Sequence, residues 1–202
     1  MVNFICICLL IIFALWLNYE IGKSNKLTNK SRDEFWNKES LANTTRKADI
    51  SGLDYISVPI EKLPMDNHPD PTINSYRDTI LSHSNKKILN LNGFSNTDLK
   101  LKYGVSNLKL LSEYDNNYTV LIATLNKWGE RLYINGCHND ALSVLEAALD
   151  CNSDAHKTFE LLAKIYSELG FYNKIDLLID KINSTPIRDK EALLRKIQKH
   201  RA

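Results

Sequence analysis

Cys137, His138, Cys151 and His156 come nearest to a chemical site, because two thiols and two imidazoles are what a tetrahedral zinc ion takes. Their spacing argues against it. One pair at 137–138 and another at 151 and 156 match no zinc module with local geometry. If the residues between them are helical, about 13 steps of 1.5 Å hold the two pairs roughly 15–20 Å apart. The reading is therefore no metal. The carboxylates Glu146 and Asp150, and again Asp176 and Asp180, stand at i, i+4 and read as solvated helix surface, not as an acid and a base. A phosphate-cradling glycine loop, a G-x-S-x-G elbow and an H-E-x-x-H helix do not occur in the sequence. No cofactor is implied and the chain reads as not an enzyme. The alternatives are an enzyme whose site has no motif, or an accessory subunit of a membrane complex.

The chain that must position any functional residues has 202 of them, 44% hydrophobic and 25% charged, a globular composition. Seven glycines and five prolines are few, which favours helices over a turn-rich β fold. Four basic residues (Lys23, Lys26, Lys30, Arg32) and one acid (Glu20) lie in residues 1–32, leaving 22 basic and 23 acidic in the rest. A near-neutral body carries no electrostatic footprint for nucleic acid. The four cysteines do not resemble a disulfide framework and read as free thiols in a reducing compartment.

Residues 4–17 are unbroken apolar sequence, extended to 2–19 by Val2 and Tyr19. A helix of 16 to 18 such residues reaches roughly 24–27 Å, the short end of a bilayer span, with Trp16 and Tyr19 at interfacial positions. A signal peptide would need a basic start and a small-x-small cleavage site, and neither is present. Residues 1–20 are thus expected as a transmembrane anchor that engages the lipid bilayer through residues 2–19. The basic residues follow the run, so the short N-terminus is expected outside and the body cytoplasmic, a single-pass protein of the cell membrane.

Beyond the anchor, residues 21–32 read as a basic polar linker. Residues 33–94 read as a helix over 33–47, with Trp36 as a packing anchor, and then an irregular extended segment. Ile50, Leu53, Tyr55, Ile56, Val58, Ile60 and Leu63 oblige that segment to lie across a helical body. Asp70 and Pro71 predict a helix start, and Ser95 with Asp98 a capping motif for a short helix closed by Gly104. Another short helix from Ser106 ends at residues 115–117. The fold class is mainly α.

Residues 95–202 form the body. Within it the sequence says nearly the same thing twice, over about 118–152 and 153–187, with a capping helix over 189–200. Gly136 and Gly170 are 34 residues apart, Trp128 falls on Leu162 and Gly129 on Ala163. This resembles the tetratricopeptide repeat family, stacked helical hairpins with small residues at helix crossings. The family's small positions look to be Gly129, Ala163, Ala141 and Ala148, its inter-helix glycine Gly136 and Gly170, and its following aromatic Tyr172. His138 replaces the aromatic in the first unit, while Ile175 and Ile182 replace the small residues of the second. That departure predicts looser packing there. Pro186 approximates the proline that closes a unit. The N-terminal part looks similar to uncharacterised bacterial single-pass membrane proteins.

The resemblance implies a binding face on the first helix of each hairpin: Asn126, Glu130 and Tyr133, then Lys157, Glu160 and Lys164. Glu130 stands where the family's carboxylate clamp needs a basic residue, so a C-terminal carboxylate is not the expected ligand. Tyr133 is the candidate anchor for a polar protein partner. Either that face is open or residues 48–64 fill it. The expected function is a membrane-anchored interaction scaffold.

Overall fold

The first helix runs far beyond the apolar stretch that begins it. In this computed structural model, which describes residues 2–185 and 187–201, with the side chains of residues 2–10 and Leu27 excepted, helix α1 (Val2–Thr44) is continuous for 43 residues. That is roughly 65 Å at 1.5 Å per residue. Residues 21–32, expected as a linker, are helical: they hold no proline and one glycine, and Lys23 and Lys30 face Glu20 and Glu34 one turn away. Helix makes up 72% of the described structure, in eight α-helices without a strand. Pro186 and its expected role lie outside the described residues.

The chain divides into two units, residues 1–52 with 93–109 and residues 53–92 with 110–202. In the first, α3 (Asn96–Tyr103) packs on the last turns of α1. Ser95 and Asp98 form the expected capping box. Lys38 donates to Asp98 at 2.8 Å, and Glu39 accepts from Lys100 and Thr97. Lys38, with help from Ser95, draws the Asp98 carboxyl down to about 2. Ala42 and Leu99 are the buried apolar side chains of this contact, while Phe35, Trp36 and Leu41 are exposed. Trp36 is therefore no packing anchor; its ring meets Phe35 edge-on at 5.5 Å. Gly104 closes α3 at φ +83°, and a Cβ there would lie 2.4 Å from the carbonyl oxygen of Arg46. Only glycine admits that crossing.

In the second unit the hairpins follow one stopping device used three times. Helices α4 (Val105–Ile134), α5 (His138–Asp150), α6 (His156–Glu168), α7 (Tyr172–Ser184) and α8 (Lys190–Gln198) follow one another closely. At the end of α4, Cys137 N donates to Leu132 O and Gly136 N to Tyr133 O, with Gly136 at φ +78°. The same two bonds recur at the end of α6 around Gly170, and at the end of α5 around Asn152, a non-glycine residue at φ +58°. This left-handed residue satisfies the last carbonyls and turns the chain back. Helix α6 touches α5, α7 and α8, and α7 touches α8. Direct bonds between α4 and α6 complete two layers, α4–α6–α8 and α5–α7.

The expected break at residues 115–117 is absent: α4 is one helix of 30 residues. Asp115 and Asn117 do not cap anything there. Asp115 accepts from Leu91 N at 3.0 Å, and Asn117 donates to Lys87 O at 3.0 Å, so both hold the 87–91 strand of coil against the helix. That coil follows α2 (Pro71–Ser84), whose first turn Asp70 caps by accepting from Thr72 N. Asp70 also meets Arg131, at the far end of α4 from Asn117, so residues 70–89 run antiparallel to α4.

Residues 53–68 pack on this body as a strap. Val58 and Leu63 are buried in the core, and a single 3₁₀ turn (Ile60–Lys62) contacts α5. Lys62 reaches Asp150 at one end of α5, and His68 reaches Cys137 at the other. Six extended residues at roughly 3.3 Å cover about 20 Å, the length of the 13 helical steps beneath them at 1.5 Å. The core itself is built on Trp128, Leu121, Leu125, Phe159, Leu162 and Ile175, all fully buried.

Candidate functional site

The six residues expected to bind lie on α4 and α6, and the structure brings all six into cross-helix pairs. Lys157 donates to Glu130 at 2.6 Å, tying α6 to α4. Tyr133 donates to Glu168 at 2.7 Å, and its ring lies under the Lys164 ammonium, 4.8 Å from the centroid, and stacked on His138 at 5.1 Å. Glu160 looks the other way and accepts from Lys196 of α8 at 2.7 Å. Exposed pairs of this kind add little stability each, so they leave the surface polar, charged with both signs and available.

Asn126 differs, being only 5% exposed. Its Oδ1 accepts from Thr158 Oγ1 at 2.8 Å, and Thr158 in turn shares a hydrogen bond with the buried Ser153 at 2.7 Å. The Asn126–Thr158–Ser153 chain is thus a buried polar seam between α4 and α6 and not part of the open surface. The contacts of residues 53–68 described above go to α5, not to the six face residues. The strap covers the layer opposite the face.

The residues that set the packing lie where close approach needs them. A Cβ on Gly129 would stand 2.6 Å from Leu145 Cγ, so α4 and α5 cross at that point. Ala141, Ala148 and Ala163 are completely buried in the same core cluster as Trp128. Gly136 and Gly170 close α4 and α6. Tyr172, matched to the family's aromatic after the glycine, begins α7 with an exposed side chain, and Phe171, the N-cap residue before it, is exposed too. In the second hairpin Ile175 and Ile182 fill the core, and between α5 and α7 a surface groove of about 480 Å³ opens, lined by Glu146, Leu149, Tyr166, Lys174 and Leu177 among others.

The two thiol–imidazole pairs are divided as the helical distance requires. Cys137 is the N-cap residue of α5 and Cys151 its C-cap. His156 Nε2 bonds Arg188 O, and burial pushes the Cys151 thiol up to about 12. Among the described residues no three His, Cys, Asp or Glu side chains are gathered as a metal site. The sequence did not foretell that His68, 69 residues away, would stand 3.6 Å from Cys137 Sγ. His68 Nδ1 accepts the Asp70 N–H at 3.0 Å, so the neutral ring carries its proton on Nε2 and presents an N–H to sulfur. A ring in that state is a donor to the thiol and not its base.

Asp70 accepts three hydrogen bonds, from Arg131 at 2.6 Å, from Thr72 N at 2.9 Å and from Asn135 at 3.2 Å. Arg131 above all, then the Thr72 amide, holds its pKa well below the usual range. Glu168, Lys196, Arg131 and Ser153 had no sequence signal, since their partners are remote. Thr158 had one, a hydroxyl inside the apolar stripe Phe159, Leu162, Tyr166. Compared with family models, curated proteins and solved structures, the chain matches none.

Proposed function

We propose that the chain is a membrane-anchored scaffold whose α4–α6–α8 face binds a partner protein, with α1 as the anchor and the body on the basic, cytoplasmic side. The observation that carries this reading is the surface of α1 after residue 10. Ile11, Ile12, Phe13, Leu15, Trp16 and Leu17 are between 42% and 66% exposed. Six such residues within about two turns of helix leave an apolar band larger than water tolerates on a soluble chain, and lipid is the cover that accepts it on all sides.

Among the described residues no helix is long and apolar enough to cross a membrane. The first half of the expected span, residues 2–10, lies outside the described side chains. What supports the span is the sequence of that half, FICICLL within it, joined to the exposed band. For the body, support comes from the resemblance of its two units to tetratricopeptide hairpins and from Tyr133, an aromatic held at the surface by Lys164, His138 and Glu168.

Alkaline extraction of membranes from cells making the full chain tests the anchor. The wild type should stay with the pellet, and Ile12→Lys/Leu15→Lys should shift to the supernatant, since each central lysine costs about 3 kcal/mol of insertion. Wild-type chain in the supernatant would refute the anchor.

A further inference from the structure

The charged stretch after the apolar band continues the same helix, and this gives its lysines an address. Lys23, Lys26 and Lys30 lie at i, i+3 and i+7, within an arc of about 60° at 100° per residue. All three are exposed. They stand about 6, 10 and 16 Å beyond Tyr19 along the axis. Helical side chains tilt toward the helix N-terminus, so each ammonium is carried back toward the apolar band by its own stem. The first two then fall within one screening length, about 8–10 Å, of an interface set at Trp16 and Tyr19.

Competition from acids on the same helix is weak. Glu20 is 3.8 Å from Lys23 and Glu34 is 3.9 Å from Lys30, both solvent-exposed and at the long limit of an ion pair. Asp33 engages Arg32 at 3.8 Å. Lys26 has no ion pair among the described residues. Over residues 20–32 four cations face one acid.

We propose that Lys23, Lys26 and Lys30 form a stripe that binds the anionic headgroups of the bilayer in which α1 is anchored, so that the chain gathers acidic lipid around its stem. The inference rests on the anchoring reading, and one experiment separates the two. The full chain carrying Trp36→Phe is reconstituted in phosphatidylcholine vesicles containing either brominated phosphatidylglycerol or, at the same mole fraction, brominated phosphatidylcholine. Trp16 is then the exposed reporter, because Trp128 is fully buried in the body.

At low salt the acidic lipid should quench Trp16 about threefold more than the neutral one. The excess should vanish in 1 M salt and in the variant Lys23→Gln/Lys26→Gln/Lys30→Gln, whose quenching by neutral lipid stays unchanged. Equal quenching by the two lipids at low salt, or an excess that survives the triple substitution, overturns the stripe and leaves the anchor standing. An absence of quenching by either lipid overturns both.

Discussion

Thr158 is the residue on which the joint between α4 and α6 turns. It is fully buried, donates to Asn126 and shares a hydrogen bond with Ser153, which itself accepts from Ala155 N at 3.3 Å. Thr158→Val keeps the shape and removes the hydroxyl, leaving a buried amide oxygen without its donor. The loss should be about 1–3 kcal/mol of unfolding free energy, read by denaturant titration of the detergent-solubilised chain. A change within 0.3 kcal/mol, the spread ordinary for independent surface sites, would show that the seam carries no weight. Asp70 gives a second residue-scale test. Its folded pKa lies below the ordinary 3.8, so its contribution is full above the unfolded value and is lost as pH falls below about 4 through the folded value. Asp70→Asn should lower the melting temperature at pH 7 and flatten the acid limb. An acid limb parallel to wild type would contradict this.

At the scale of elements, the helix crossings make sharper predictions than the surface pairs. Gly129→Val must push two methyl groups against Leu145, which is itself fully buried, and should cost about 3 kcal/mol by overpacking. Gly104→Ala meets backbone at Arg46 and a left-handed φ, so it should loosen residues 45–48 and speed amide exchange at Ala48, whose N–H donates to Tyr103 O. Unchanged exchange there would count against the crossing. Local signals made much of this readable from sequence: the 34-residue step from Gly136 to Gly170, the Ser95–Asp98 box, and Asp70 before Pro71. What escaped reading depended on remote partners. Residues 115–117 look like a stop until Leu91 and Lys87 are seen to occupy the side chains of Asp115 and Asn117. Asn152 does the work of a glycine at the end of α5, and no spacing rule points to it. Residues 21–32 look like linker by polarity, yet nothing in them breaks a helix. Repeat register singled out Asn126, Glu130, Tyr133, Lys157, Glu160 and Lys164, but it carried neither their pairing nor the burial of Asn126. Glu168 and Lys196, which hold Tyr133 and Glu160, come from helix ends 35 and 36 residues away.

For the whole molecule, the proposed function gives two surfaces different covers: lipid for the exposed apolar band of α1 and a protein partner for the polar face of α4–α6–α8. The strap of residues 53–68 lies on α5, in the other layer. That arrangement separates the face from Leu177, an exposed apolar residue of α7 that serves as an internal control. The most direct measurement places a photocrosslinking amino acid at position 164, or at position 177, of the full chain in intact cells. Our account predicts discrete protein adducts in the membrane fraction from position 164 that are lost with Tyr133→Ala, and none of those adducts from position 177. Adducts from position 164 that match those from 177, or that persist unchanged with Tyr133→Ala, would contradict it.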